Sequence, residues 1–379
     1  MNKIILIVSL FIGFVFVLNP VSAELIANAS PSYDRMIGQS DLCYRPVYLG
    51  GTEVATESVL TVERKRRETL IFNDNVLLRI SMSGEPSNEV VISNLPVNDA
   101  HLTGAVALTN KFFALIGKGS SGGLLAISDS DGKVIKVKMI GTSYQFKGIS
   151  RVSSERFLVY GAKSARPFFA YVDQNLDLIK EQQVFTKKNS GIVIRAEVDR
   201  SGQSLIMLVQ STNDESFNDV DISIYRANLN GDISASYVVQ GFLGDFIETA
   251  DGIGLVYYDG NKNSQNIKLQ FLSNKLKKEW HQDVLNSQLG VIWPRLISAN
   301  NKQLIVVAAH GLKLYMAAYS QIGTKQWSYW DSGSSIAPAY DYLVAAQSGK
   351  ILLIQEAIDG FAKYSTAASV CNRVRALGF

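Results

Sequence analysis

A short turn recurs along this chain at nearly constant spacing, each time between two runs of β-type residues. The turns read Met82-Ser83-Gly84, Asp129-Ser130-Asp131-Gly132, Asp173-Gln174-Asn175-Leu176, Asn228-Leu229-Asn230-Gly231, Ser273-Asn274-Lys275 and Gln321-Ile322-Gly323. Their last residues lie 48, 44, 55, 44 and 48 positions apart, and a further step of about 47 reaches Ser369 to Asn372. A period of 40–50 residues built from short strands is the pattern of a β-propeller. The expected fold is therefore all-β: one domain, a propeller of seven four-stranded antiparallel blades. Residues 44–60 can complete either the first blade or the last, so six and eight blades remain open.

Strand character is clearest from Phe146 to Val184. Ile149 to Val152, Arg156 to Gly161, Phe168 to Val172 and Leu178 to Val184 are short runs rich in β-branched and aromatic residues, separated by Ser, Gly, Asp and Asn. The order recurs in Gly252 to Tyr258, Ile267 to Leu272 and Lys277 to Trp280, and again from Gln303 to Trp327. No long segment has apolar residues at helical spacing with helix caps.

The first 23 residues have the form of a secretory signal. Lys3 precedes an apolar run from Ile4 to Leu18, Asn19-Pro20 breaks it, and Val21-Ser22-Ala23 offers small residues for cleavage after Ala23. The run is short for a bilayer span, so an uncleaved anchor is the weaker reading and a secreted or periplasmic protein the expected product. Residues 24–42 read as an N-terminal linker and residues 43–379 as the propeller. No later run is long and apolar enough to span a bilayer, so no stable membrane insertion is expected. Without the signal and its Lys3 the chain carries 36 basic against 34 acidic residues. That near-neutrality argues against nucleic acid or an anionic membrane as partner. The basic run Arg64 to Arg67 sits between Glu63 and Glu68 and reads as a solvated turn.

Two cysteines, Cys43 and Cys371, bracket the propeller. In an oxidising compartment an even number of cysteines favours a disulfide. First and last blades of a ring are neighbours, so a Cys43–Cys371 bridge is expected, with two free thiols or an interchain bond as alternatives.

Three segments carry a family resemblance: Val159-Tyr160-Gly161, Ala126 to Gly132, and Gly323-Thr324-Lys325-Gln326-Trp327. A strand ending in Gly, an Asp-x-x-Gly-type turn and a fourth strand ending in Trp are similar to the bacterial exported propellers of the quinoprotein-like or WD40-like type, over about residues 55–379. The resemblance implies the fold and no ligand. Quinone-dependent members carry a docking Trp in every blade and a vicinal cysteine pair. Here only Trp280 and Trp327 match and no such pair exists, so no cofactor is expected.

Motifs with chemistry are sparse. Asp129-Ser130-Asp131-Gly132 lacks the later bidentate Glu of a calcium loop and reads as a type I′ hairpin turn. His101, His281 and His310 lie in different blades without metal-type spacing, so no metal site is expected. Gly117 to Gly123 is Gly-rich but opens a strand, not the helix that phosphate capture uses. No nucleophile elbow or Walker loop occurs. What remains is the face made by loops leading into the innermost strand of each blade. Those loops are expected to carry Asn98, Asp99 and His101; Tyr144 and Phe146; Arg195; Asp245 and Phe246; Trp293 and Arg295; and Tyr340 and Asp341. From these, His101, Tyr144, Arg195, Asp245, Trp293, Arg295 and Tyr340 form the candidate binding face. Converging aromatic and Arg residues suit a protein or glycan ligand, although for any single one of them packing between blades is the more ordinary role. The leading expectation is an exported, non-catalytic binding protein. The alternatives are a polysaccharide hydrolase or lyase using Asp99, Asp245 and Asp341, and a cell-envelope assembly or scaffold factor.

Overall fold

The structure, a computed structural model, describes the backbone of strands between Leu25 and Gly378. It describes side chains at residues 92–95, 100, 102–109, 111–213, 219–259, 266–286, 294–298, 303–308 and 315–330. These strands form seven sheets, and the fold is an all-β propeller. Blade 1 is built from Leu42–Val47, Glu57–Arg66, Asp74–Ser81 and Pro86–Ile92, and blade 2 from His101–Thr109, Phe112–Gly119, Gly122–Asp129 and Val134–Ile140. Blade 3 contains Tyr144–Arg151, Arg156–Lys163, Arg166–Asp173 and Leu178–Gln183, and blade 4 Ser190–Val198, Ser204–Thr212, Val220–Asn228 and Ile233–Gln240. Blade 5 contains Phe242–Glu248, Gly252–Asp259, Gln265–Ser273 and Lys278–Ser287, and blade 6 Arg295–Ala299, Gln303–His310, Lys313–Ser320 and Lys325–Trp330. Within each blade the strands run in chain order from the innermost outwards, antiparallel throughout.

Blade 7 is different. Pro338–Gln347, Lys350–Ile358 and Val370–Gly378 supply three strands, and the outermost is Pro31–Ile37, paired antiparallel with Val370–Gly378 from Pro31↔Leu377 to Ile37↔Asn372. The innermost strand of blade 1 lies against all three C-terminal strands, so the ring closes there. Two expectations are thereby corrected. Residues 24–42 are not a plain linker, because they hold Pro31–Ile37 and also Leu25–Ile26, which adds in parallel to the outer edge of blade 6. Nor do Val370 to Asn372 form a seventh turn. That region opens the third strand of blade 7, and the fourth comes from the other end of the chain.

The core lies between blades. Phe157 and Val159 join Ile116, Ile127 and Phe168 between blades 2 and 3, while Leu158 and Tyr160 join Phe169, Leu205 and Met207 between blades 3 and 4. Alternate residues of one strand thus enter opposite layers, as the twofold period of a strand requires. Because both faces are covered, second and third strands are continuous apolar runs such as Phe168-Phe169-Ala170-Tyr171-Val172, all buried. Each large apolar side chain so buried contributes about 1.5–3 kcal/mol.

The recurring turn is one geometry repeated. Asp129, Asp173, Asn228, Ser273 and Ser320 close the third strands, and their carbonyls accept from Gly132, Leu176, Gly231, Leu276 and Gly323, 2.8–3.2 Å away. Those five residues all have positive φ, 56–86°. This is a three-to-five-residue connection with one left-handed residue, not type I′, because Ser130 and Asp131 keep negative φ. The Asp129 carboxylate accepts from the amides of Asp131 and Lys133, a turn role. In blades 2 and 5 a side chain seven residues past the closing position ties the blade to the next. Lys136 Nζ donates to the Gln174 carbonyl (2.9 Å) and Trp280 Nε1 to the Gln321 carbonyl (2.5 Å).

A true type I′ turn occurs elsewhere, at Ser164-Ala165, with φ of 51° and 62° between the paired Lys163 and Arg166. Neither residue favours that region. Replacing the pair by Asn-Gly is expected to raise stability by about 1–2 kcal/mol, read as a higher denaturant midpoint at unchanged slope.

Candidate functional site

The innermost strands carry a second repeat, visible only in their pairing. A β-bulge interrupts the first ladder of blades 2, 3, 4 and 5, and the residue following it pairs with the middle of the second strand: Gly104↔Ile116, Gly148↔Tyr160, Arg195↔Leu208 and Asp245↔Val256. Arg295↔Val307 in blade 6 and Tyr342↔Gln355 in blade 7 hold the corresponding place. A bulge re-aims the side chain beside it, and here it turns Arg195 and Asp245 towards each other.

Arg195 and Asp245 are 4% and 3% exposed, too buried for a binding face. Arg195 Nη1 donates to Asp245 Oδ1 (2.7 Å) and to the Phe246 carbonyl (2.6 Å), and Nη2 donates to Glu197 Oε2 (3.0 Å). The guanidinium lies 4.8 Å from the Phe246 ring centre. Asp245 accepts in addition from the Phe246 amide at Oδ1 and from the Leu296 amide at Oδ2, each at 3.0 Å. One clamp thus joins blades 4, 5 and 6. Burial raises the Glu197 carboxyl above its ordinary value, against the pull of Arg195. Fully buried Tyr160 flanks the clamp, its hydroxyl in the space a Cβ at Gly148 would need: the contact would be 2.3 Å.

A second clamp holds blades 4 and 5 together at the other end of these strands. Arg226 donates to Asp199 Oδ2 (2.9 Å) and to Glu248 Oε1 (3.4 Å), and the Arg200 amide donates to Glu248 Oε2 (2.8 Å). Burial pushes the Asp199 carboxyl up, but hydrogen bonds from the Ser204 hydroxyl and amide, Ser201 and Gln203 outweigh it and hold the group below the usual value. A depressed carboxyl adds stability above the unfolded pKa that is lost as pH falls through the folded one. Asp199→Asn is therefore expected to lower stability at neutral pH by about 1–3 kcal/mol and to flatten its fall below pH 4. Denaturant melts from pH 3 to pH 7 read both.

The other candidates fall in different places. Tyr144 opens the innermost strand of blade 3. Its hydroxyl donates to Glu181 Oε2 (2.6 Å), Lys163 pairs with Glu181 Oε1 (2.5 Å) and lies 4.6 Å from the Tyr144 ring centre, and Phe168 packs edge-on at 5.4 Å. The residue is a brace within one blade, and burial and Glu181 raise its phenol pKa. Arg295 opens the innermost strand of blade 6, half-buried. His101 and Tyr340 lie on inner strands, with side chains outside the described residues, as is all of Trp293. Cys43 and Cys371 lie on Leu42–Val47 and Val370–Gly378, their side chains likewise outside. Of the candidates whose side chains are described, Arg195 and Asp245 are brought into contact.

Phe185 was missed. It follows the outermost strand of blade 3, in the loop leading to blade 4, and is 77% exposed. Backbone hydrogen bonds pin both ends of that loop, from the Val184 amide to the Pro167 carbonyl (2.9 Å) and from the Gly191 amide to the Ala165 carbonyl (2.8 Å). Lys187 beside it is exposed, while Lys188 pairs with Asp219 and Asp221. In sequence Phe185 reads as a further residue of the strand that ends at Val184.

No known protein family matches the sequence, and no curated protein does. Solved structures match at low identity. The Dos1 propeller aligns with a TM-score of 0.54 and 10% identity over 94% of this chain and 96% of that one. BamB from Moraxella catarrhalis gives 0.52 and 10% over 93% and 100%. Prolyl oligopeptidase B from Galerina marginata gives 0.51 and 14% over 87% of this chain and 50% of its own, so the chain spans about half that protein's length. What these likenesses share with the strand pairing is the fold: the chain is a β-propeller.

Proposed function

We propose that this protein is an exported, non-catalytic binding or scaffold propeller that meets a protein or a glycan on the loop face leading into its innermost strands. The reading is carried by Phe185. An aromatic side chain held in water, on a loop fixed at both ends, is the kind of preorganised anchor that binding surfaces use. The rival catalytic reading needs free carboxylates at the channel mouth. Both Asp245 oxygens accept hydrogen bonds from Arg195, Phe246 and Leu296, and the residue is 3% exposed, which speaks against a catalytic use of that group.

Export with cleavage after Ala23 and a Cys43–Cys371 bridge belong to the same proposal. In support, the first strand begins at Leu25 and the strand carrying Cys43 runs against the one carrying Cys371. A photo-crosslinking residue at position 187, with a glycan array in parallel, tests the reading. A discrete adduct or glycan signal, lost in Phe185→Ser at unchanged melting temperature, is the expected result. Polysaccharide cleavage by the purified protein, abolished by Asp245→Asn, would overturn it.

A further inference from the structure

The outermost strand of a blade offers a row of unpaired backbone groups, and natural proteins protect such edges with charge, proline or cover. Five outermost strands here are protected in that way. Pro86–Ile92 has Pro86 and Glu89, Val134–Ile140 has Lys136 and Lys138, and Leu178–Gln183 has Lys180 and Glu181. Lys278–Ser287 has Lys278, Glu279 and Asp283, and Pro31–Ile37 has Pro31, Asp34 and Arg35. In blade 6, Lys325–Trp330 carries charge only at its first residue and is covered by Leu25–Ile26. Ile233–Gln240 of blade 4 stands apart. Its sequence, Ile-Ser-Ala-Ser-Tyr-Val-Val-Gln, has no charge and no proline, and no described strand pairs with its outer edge.

Its two faces differ. Ala235, Tyr237 and Val239 pack on the layer shared with blade 5, where the Tyr237 hydroxyl accepts from Gln270. Ser234, Ser236, Val238 and Gln240 face water, with Val238 48% exposed. The serines are small enough to let another backbone approach. The repeat adds a second sign: where Lys136 and Trp280 reach the next blade, the corresponding residue here is Ala235, which has no donor.

We propose that the outer edge of Ile233–Gln240 is a docking strand for an extended, uncharged segment of another protein, apolar at alternate positions, which adds to blade 4 as a fifth strand. The chain already shows this mode once: its own apolar Leu25–Ile26 lies along blade 6, in parallel, opposite Trp327 and Ser328. Absence of charge on the strand selects against a charged segment. A second copy is the poorer occupant. Two rings meeting edge to edge touch along one strand, a ribbon roughly 26 Å by 10 Å, or roughly 500 Å² in total against about 1,200 Å² for a stable interface. A separate segment can also fold its side chains over both faces. This surface is the outer edge of blade 4, whereas Phe185 stands on the loop between blades 3 and 4, and each is tested by its own substitutions, so either proposal can fail without the other.

The test uses the full-length mature protein and a capped, fluorescein-labelled octapeptide alternating valine and threonine. Anisotropy titration should show saturable binding. The double variant Ser236→Lys, Val238→Lys should weaken it at least tenfold, while Ile179→Lys on the edge of blade 3 leaves it unchanged. Both positions are exposed, so the melting temperature should not move, which separates lost docking from lost folding. No saturable binding, or equal binding by the double variant, overturns the proposal. So does a concentration-dependent dimer in sedimentation that Val238→Lys abolishes, since a second copy would then be the occupant.

Discussion

Arg195→Ala should lower the unfolding free energy by about 3–5 kcal/mol, the range for removing one member of a buried ion pair. The magnitude comes from what stays behind. Asp245 and Glu197 would keep their buried positions but lose the cation they share, and the Phe246 carbonyl would lose its donor. Two amides still serve Asp245, whereas Glu197 has no other hydrogen bond described. Its carboxyl is already raised above the unfolded value, so the folded state binds that proton more tightly and stability falls as pH rises through the folded pKa. Without Arg195 that shift should widen, so the variant should regain part of its loss on acidification. Urea melts at pH 5 and pH 8 measure both effects. A loss below 1 kcal/mol, or one independent of pH, would show that the clamp is not a unit.

Removing residues 24–37 should unfold blade 7 and with it the ring. The deleted strand supplies the antiparallel ladder from Pro31↔Leu377 to Ile37↔Asn372. With about five such hydrogen bonds at 0.5–1.5 kcal/mol each, the direct loss is roughly 3–8 kcal/mol. That is comparable to the whole stability of an ordinary domain. The expected outcome is a protein recovered only as aggregate, or one whose amides in Lys350–Ile358 and Val370–Gly378 exchange rapidly. A synthetic peptide of residues 24–37, added during refolding, should restore protection. A truncated chain with the parental midpoint would mean that this strand is not what closes the ring.

How far the sequence reaches is clear from the turns. Asp129, Asp173, Asn228 and Ser273 were legible because a side-chain oxygen followed by a left-handed residue is a local demand, written within five positions. Leu176 and Leu276 take the same conformation against their preference because each is also buried, at 1% and 3% exposure, against the preceding blade. The outer strand of blade 7 was not legible, since its partner lies at the far end of the chain and no local pattern marks a strand that pairs at such a distance. The Arg195–Asp245 pair escaped for a related reason. Both residues were singled out, but as loop residues, because a bulge of one position cannot be seen without the partner strand. Phe185 was hidden because Val184 and Phe185 read as the end of a strand, and nothing in the sequence says which aromatic of a strand end is left in water.

The origin of blade 7 also dictates an order of events. Residues 31–37 must wait for residues 372–377 before either has a partner, a loop of more than 300 residues whose closure costs roughly 5 kcal/mol of chain entropy. Blades 2 to 6 can form from neighbours within about 45 residues while the two ends are still apart. Completion is then a single late event. Until it happens, every molecule exposes two unsatisfied strand edges at the seam, open to any other strand that reaches them first.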